Sequence, residues 1–325
     1  MKLFILIFTA LTPTIYCLSD QEEWQQFKTQ HGKTYRSLLE EKRRFDIFKS
    51  NLRMIDEHNQ RFNNGEETFK MRINQFGDFS EEEFRQMLGL QIDQIPNGGD
   101  NLALLDDSED IPKEVDWRAK GAVTPVEDQW DCGACWAFSA VGAIEGQVFL
   151  KNGTLEPLSV QNLLDCARGE YMNKGCYEGL MVNAFNYTRD HGVLTDKEYP
   201  FISFHREEHE CKKQGGVKIS GYKEILAGDE QALAKAVALI GPVSVGMDSS
   251  KLKFYDIGVI TKESGCKNER RYLNHAVVVV GYTEDYWVLK NSWGKYWGEN
   301  GYLRIKRNDG NTCGVATAAT YPTLD

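Results

Sequence analysis

No apolar run in this 325-residue chain is long enough to cross a bilayer. A helical span needs about 20 apolar residues, and the one strongly apolar stretch, residues 3–11, is far shorter. There is no Lys/Arg run or basic face, and the formal charge is -10 with a sequence pI near 5.3. A nucleic-acid partner therefore has no electrostatic support. Internal repeats and low-complexity tracts are absent, and the apolar and charged fractions, 41% and 26%, are those of a soluble globular protein. A collagen, a disordered tail and a multispan membrane protein are excluded. No second Cys or His pair stands at zinc-ligand spacing from Cys132 and Cys135, which disfavours a zinc site.

The short apolar run follows Lys2 and precedes Cys17-Leu18-Ser19, small residues of the kind a signal peptidase reads. It is expected to be a cleaved secretory signal over residues 1–19. The chain then follows an oxidising route in which disulfides persist. Of the eight cysteines, Cys17 leaves with the signal, and seven remain. An odd number in a secreted chain leaves one thiol free, either buried and inert or deliberately reactive.

Three stretches follow. From Leu38 the residues Leu38, Leu39, Phe45, Phe48, Leu52 and Ile55 recur at three- and four-residue steps, the mark of an amphipathic helix that must lie against something. Ser80 with Glu81, Glu82 and Glu83 predicts a second, shorter helix. Residues 91–110 are rich in Pro, Gly and Asp and read as an exposed linker of the kind proteases nick. Beyond residue 111 the first half carries a helical pattern after Cys135, ended by Asn152-Gly153. The second half carries strand-like runs at 243–245, 276–280, 286–289 and 302–305.

The residues 129–139, Gln-Trp-Asp-Cys-Gly-Ala-Cys-Trp-Ala-Phe-Ser, are the most informative stretch. Cys135 would open the helix, where unpaired backbone N–H groups and the helix dipole favour a thiolate, the strong nucleophile. Cys132 and Cys135 also form a C-x-x-C, which admits a redox pair or half a zinc site. Cys132-Gly133-Ala134-Cys135-Trp136 matches the active-site signature of papain and cathepsin proteases, with His275 following at the distance that signature expects and Asn291 slightly beyond it. The chain thus resembles the papain-like cysteine proteases. In the stretch 40–59, Glu40, Arg44, Phe48, Asn51, Ile55 and Asn59 fit the spaced pattern of cathepsin L-type propeptides. Asn74, Phe76 and Asp78 fit most of a second motif, with Arg72 where some relatives have Gly.

The resemblance implies an α+β, papain-like two-domain fold: a helical left domain, a β-barrel right domain and the cleft between them, preceded by a helical pro-domain. The expected division is a signal over 1–19, an inhibitory propeptide with activation linker over 20–110 and a peptidase domain over 111–325. It implies Cys135 as nucleophile, His275 as base, Asn291 as the residue fixing the imidazole tautomer, and Gln129 as an oxyanion donor. It implies the disulfides Cys132–Cys176, Cys166–Cys211 and Cys266–Cys313, which leave Cys135 free. Gly179 would hydrogen-bond the substrate. Leu180, Met181, Gly246, Leu273 and Ala318 would line an apolar second subsite, with Asn274 and Trp293 beside the substrate. Two departures stand out. Trp130 replaces a usual Gly and either narrows the cleft or repositions Gln129, and Tyr177 and Glu178 replace small residues at the third subsite.

The implied protein is an endopeptidase without cofactor, since no inserted loop like that of carboxydipeptidase relatives is present. Its partners are peptide substrates and its own propeptide, which low pH would release near Asp110 as carboxylates protonate. It is expected to act as a monomer in the lysosome or an extracellular or digestive lumen. Asn152 and Asn186 are glycosylation sequons. Two rival readings remain: an inhibitor or binding protein, which Trp130 favours, and a redox protein, in which Cys132 pairs with Cys135.

Overall fold

The computed structural model describes residues 19–91, 101–105 and 110–325. Apart from Ser19, the expected signal segment lies outside the described residues, as does most of the expected linker. Helix α1 (Asp20–Gln30) starts where Ser19 accepts from the Glu22 N–H and Glu22 returns a bond to the Ser19 backbone, so two orphan donors are satisfied at once. Helix α2 (Leu38–Asn63) is capped by Ser37. The two helices bury Trp24, Phe27 and Phe48, with Trp24 5.5 Å from Phe27 and 5.2 Å from Phe48 between ring centres. Leu38 and Leu39 are not part of that face, as their periodicity had suggested. They are 86% and 79% exposed, because the first turn of α2 precedes the packed region that opens at Phe45.

The spaced polar residues of α2 have a common use, which is to satisfy the backbone of the chain that follows. Arg44 donates to the Asp78 carbonyl and to Glu83, and Asn51 donates to the carbonyls of Gly77 and Phe79. Asn59 both donates to and accepts from Met71, at 2.9 Å each way. That chain forms β1 (Phe69–Met71) and the short helix α3 (Glu81–Gln86), which opens with a capping box at Ser80.

The rest divides into a helical half and a sheet half. The helices are α4 (Cys135–Asn152), α5 (Val160–Cys166) and α6 (Met181–His191). The sheet half contains β2 (Val115–Asp116), β3 (Gly221–Glu224), helix α7 (Glu230–Leu239), β4 (Val243–Met247), β5 (Tyr255–Ile260), β6 (His275–Tyr282), β7 (Tyr286–Lys290), β8 (Tyr302–Lys306) and β9 (Ala318–Thr323). Its strand order is β1-β5-β8-β7-β6-β4-β9-β3, with β2 also on β6. Only β5 and β8 run parallel among the described pairs. The amino-terminal unit therefore contributes an edge strand, β1, to the sheet of the second half, and β5 gains a partner. Residues 101–105, within the expected linker, are exposed or half-buried and also pair with the sheet. Ala103 donates to the Glu224 carbonyl and Glu224 donates to Asn101, because the edge of β3 offers unpaired backbone groups.

Helix α4 lies between the halves and is fixed to both. The Ser139 hydroxyl donates to the Val277 carbonyl on β6, and the Ser244 hydroxyl on β4 donates to the Ser139 carbonyl, each at 2.7 Å. The helix stops at Gly153, whose φ of +73° closes the last turn. Cys132–Cys176 and Cys166–Cys211 lie within the helical half, and Cys266–Cys313 closes a loop in the sheet half. These loops of 44 to 47 residues are each worth about 4 kcal/mol in chain entropy. No helix among the described residues is long and apolar enough to cross a membrane.

Phe48 has no exposed surface and joins α2 to α1. Phe48→Ala is expected to cost about 3–5 kcal/mol in a unit with few other core residues. Thermal melting followed by near-UV circular dichroism should show the amino-terminal unit unfolding in a separate, earlier transition, and an unchanged single transition would contradict this packing.

Candidate active site

Cys135 is the first residue of α4 and the free cysteine among the described residues. Its side chain has no exposed surface. The backbone N–H groups of Ala276, Gly89 and Trp136 favour its thiolate, but burial outweighs them and pushes the thiol up to about 11. The Ala276 contact sets the sulfur one residue along the chain from His275, the first residue of β6.

The His275 ring is held on one edge and one face. Its Nε2 lies 2.8 Å from the Asn291 side-chain oxygen. The Ser292 N–H donates to that same oxygen at 2.8 Å, so the oxygen faces the ring and Nε2 carries the hydrogen. The lone pair then falls on Nδ1, which is buried without a hydrogen-bond partner among the described residues. Trp293 stacks on the ring at 4.5 Å and 29°, which keeps water from the imidazole–amide bond. Burial lowers the His275 pKa to about 4, against the opposing effect of Asn291. Thiol and imidazole are thus both held neutral.

Gln129 is fully buried and uses every polar atom of its side chain. Its oxygen accepts from the Ser292 hydroxyl at 2.7 Å, and its amide donates to the carbonyls of Cys132 at 2.8 Å and Met87 at 3.0 Å. Trp130 neither narrows the site at Gln129 nor displaces it. Its backbone turns left-handed at φ +51°, held by a bond from its N–H to Asp128, and its half-exposed indole meets Phe204 edge-on.

The Met87 carbonyl belongs to a segment that fills the cleft. Gly89 crosses Gly133 so closely that a Cβ on Gly89 would lie 1.8 Å from the Gly133 carbonyl oxygen, which only glycine avoids. Gly179 donates to the Gly89 carbonyl at 2.9 Å and accepts from Gln91 at 3.1 Å, a parallel pairing about Leu90. Leu90 donates to the Asn274 carbonyl at 3.4 Å, while the Asn274 side chain turns away to Ser249. The Leu90 side chain lies against Gly246 and shares one apolar cluster with Leu180, Met181 and Leu273, with Ala318 packed on it. Upstream, Phe76 and Phe84 pack edge-on to Trp293 at 5.7 and 5.2 Å, and Gln75 bonds its carbonyl. Tyr177 and Glu178 point outward, Glu178 paired with Lys174.

The predicted catalytic and substrate-binding residues therefore lie in or beside one cleft, whereas Cys166–Cys211, Cys266–Cys313 and the two sequons lie elsewhere. Asn152 is exposed at the end of α4. Asn186 is half-buried in α6, beside Thr188, whose hydroxyl is bonded to Ala184. Sequence reading missed Met87, Gly89, Leu90 and Ser292, none of which carries a local signal. It also missed a charged group behind the site. Lys290, next to Asn291, donates to Thr124, which donates to Glu145, and this buried line joins β7 to α4. Cys132 is committed to Cys176, which removes both the redox pair and a zinc ligand.

With the thiol near 11, about 10⁻⁴ of it is ionised at pH 7. Iodoacetamide should therefore alkylate Cys135 in the intact chain at least about 100-fold more slowly than free cysteine, whose pKa is about 8.5. Mass spectrometry of the tryptic peptide checks this, and an equal rate would contradict it.

Residues 111–323 match the papain family cysteine protease, and residues 24–84 match the cathepsin propeptide inhibitor domain. A cathepsin L-like peptidase of Aedes aegypti is 44% identical over 93% of both chains. A cathepsin L-like proteinase of Phaedon cochleariae is 42% identical over the whole of both. The solved structure of digestive procathepsin L 3 from the larval midgut of Tenebrio molitor superposes with a TM-score of 0.84 at 43% identity, covering 94% of this chain and 99% of that one. The chain belongs to the papain family of cysteine proteases, as a cathepsin L-like peptidase made as a proenzyme with an inhibitory propeptide.

Proposed function

We propose that Cys135 is the nucleophile of this peptidase, His275 its general base and acid, Asn291 the residue that orients His275, and Gln129 an oxyanion donor. The observation that carries the reading is His275 bonded through Nε2 to Asn291, with Nδ1 free of hydrogen bonds and the N–H of the next residue, Ala276, directed at the buried thiol. Burial is the first cause of both pKa shifts. Opening the cleft to water removes that cause, the backbone N–H groups at the helix start then favour the thiolate, and the proton passes from sulfur to Nδ1. The thiolate then attacks the peptide carbonyl. Gln129 and the Cys135 N–H receive the oxyanion, and removing one such donor costs roughly 2.7–4 kcal/mol of barrier. His275 protonates the leaving amine, and water, deprotonated by the same ring, hydrolyses the thioester. The products are two shorter peptides, and no metal or organic cofactor enters the scheme.

The inhibitory segment supports a reading of specificity as well. Leu90 against Gly246 supports an apolar pocket for the residue two places before the scissile bond, lined by Leu180, Met181, Leu273 and Ala318. The Met87 carbonyl on Gln129 blocks the oxyanion position, and the parallel pairing at Gly179 supports a chain direction opposite to that of a substrate. We infer the division as propeptide over 20–110 and peptidase over 111–325, with cleavage near the exposed Asp110. The expected leader and the digestive relative support delivery to a lysosome or a secreted, digestive lumen. Of the two sequons, the exposed Asn152 is the one placed to carry a glycan.

The pH response follows from depressed pKa values. His275 falls to about 4 by burial, and burial also lowers His31 in the amino-terminal unit, with Lys33 adding to it. The closed form gains full stability from a neutral His275 above about pH 6.5, the ordinary value. It loses that stability progressively as pH falls toward 4, because the open form binds the proton first. Glu83 is pushed up by burial but held below its usual value by the Ser80 backbone and Arg44, so its contribution is lost only below about pH 4.5. Conversion of the proenzyme, followed on gels, should accelerate as pH falls from 6.5 to 4. Glu83→Gln should speed conversion at neutral pH and flatten the lowest part of the profile. A rate independent of pH would contradict this account.

Gly246→Val would push a side chain into the Leu90 position, since a Cβ alone comes within 3.0 Å of Leu90 Cδ2. Hydrolysis of a substrate with leucine at that place should drop on the order of 10–100-fold in kcat/KM, and one with alanine should drop far less. Equal losses would contradict the pocket. Cys135→Ala should abolish turnover, and retained hydrolysis would overturn the peptidase assignment of that residue.

A further inference from the structure

One wall of the cleft is built by residues that no motif marks. Seen from Leu90, it stands beyond Gln129, at the end where Phe76 and Phe84 of the propeptide cover Trp293. There the loop Phe204-His205-Arg206 leans over the site. The Phe204 carbonyl accepts from the Asp131 N–H at 3.2 Å, its ring meets Trp130 edge-on at 5.9 Å, and the His205 imidazole lies 3.6 Å from the Asp131 carboxylate. A cavity of about 540 Å³ separates this wall from the propeptide.

Arg206 is where the loop touches the propeptide. Its backbone is left-handed at φ +64°, uncommon for a residue with a long side chain, and such conformations concentrate where a site constrains the chain. Its guanidinium lies 5.4 Å over the Tyr177 ring and donates through Nη2 to the Gln86 carbonyl at 3.1 Å. Its Nε is buried without a partner among the described residues. The adjacent acids are engaged elsewhere, Glu207 by the His205 N–H and Glu208 by Arg168. Gln86 immediately precedes Met87, whose carbonyl sits on the Gln129 amide. Two successive propeptide carbonyls are therefore held, one at the expected oxyanion position and the next by Arg206.

We propose that Arg206 binds the main chain of the substrate on the leaving-group side of the scissile bond. Once the propeptide is gone, the guanidinium presents its vacated Nη2–H and its unused Nε–H to a backbone carbonyl just beyond the cleaved bond. A planar donor fork suits such an acceptor, and the Trp130–Phe204 ledge lies beneath the side chains that follow. The proposal rests on the peptidase reading of Cys135 and His275, and it makes Arg206 a determinant of affinity for long peptides rather than of bond cleavage.

The test compares two substrates in the activated enzyme, both with leucine two places before the scissile bond. One is a peptidyl aminocoumarin, which has no peptide beyond that bond. The other is an internally quenched peptide with three further residues, made with either alanine or glutamate in those positions. Arg206→Gln is expected to leave aminocoumarin hydrolysis within about twofold and to lower kcat/KM for both quenched peptides about tenfold, mainly through KM, as loss of one charge-assisted hydrogen bond implies. Arg206→Lys should recover part of the loss. Unchanged hydrolysis of the quenched peptides would overturn the proposal and leave Arg206 as a propeptide latch. A loss confined to the glutamate peptide would overturn it in favour of side-chain selection, and an equal loss on all substrates would overturn it in favour of a structural role. Failure of the wild-type enzyme to cleave the aminocoumarin would instead refute the peptidase reading itself.

Discussion

Cys135 and His275 lie without exposed surface beneath Met87 to Gln91, and burial there opposes both charges that peptide hydrolysis needs. A thiol pushed up to about 11 and an imidazole pushed down to about 4 form a neutral pair. The surroundings of the pair are in place: the tautomer is set by Asn291, the ring is stacked on Trp293 and the thiol stands at the helix start. The neutrality of the pair is a matter of solvent. A lock made of desolvation has a physical virtue, since it leaves in place the bonds that orient the imidazole it silences.

The lock is secured on the same parts it silences. Gln129 offers its amide to Met87, Gly179 pairs on both sides of Leu90, the apolar pocket takes the Leu90 side chain, and Trp293 carries Phe76 and Phe84. Beyond the cleft, β1 extends the sheet at β5, and Asn74 and Arg72 reach the Lys253 carbonyl and the Asp256 carboxylate. The alignment beneath is kept by the bonds that tie α4 to the sheet, from Ser139, Ser244 and the buried line Lys290–Thr124–Glu145. The cleft is therefore rigid on its inner wall and covered by a removable outer one.

Much of this was legible in the sequence because its signals are local. The residues around Cys135 combine a helix start with a thiol, and the strands at 275–282 and 286–290, paired from Val278 with Lys290, bring His275 and Asn291 to the same end of a ladder. The polar residues of α2 stood out as a pattern that plain amphipathicity did not explain, and the structure shows that they satisfy backbone. What stayed hidden depends on the approach of distant segments. Leu88-Gly89-Leu90 has no periodicity, and its glycine acquires meaning only when it meets Gly133. Leu38 and Leu39 fit a helical face whose covering element never arrives, and residues 101–105 gain order only from the open edge of β3. Trp130 looked like a threat to Gln129, and its left-handed backbone turns the indole outward instead.

The central claim is that water exclusion holds the catalytic pair neutral in the proenzyme. Selective ¹⁵N labelling of the six histidines, with His275→Ala used for assignment, reads the charge of that ring by NMR in the proenzyme and in the mature enzyme. At pH 6 the account predicts a neutral His275 ring in the proenzyme, protonated at Nε2 alone, and a doubly protonated ring in the mature enzyme. A charged His275 ring in the intact proenzyme at pH 6 would contradict it.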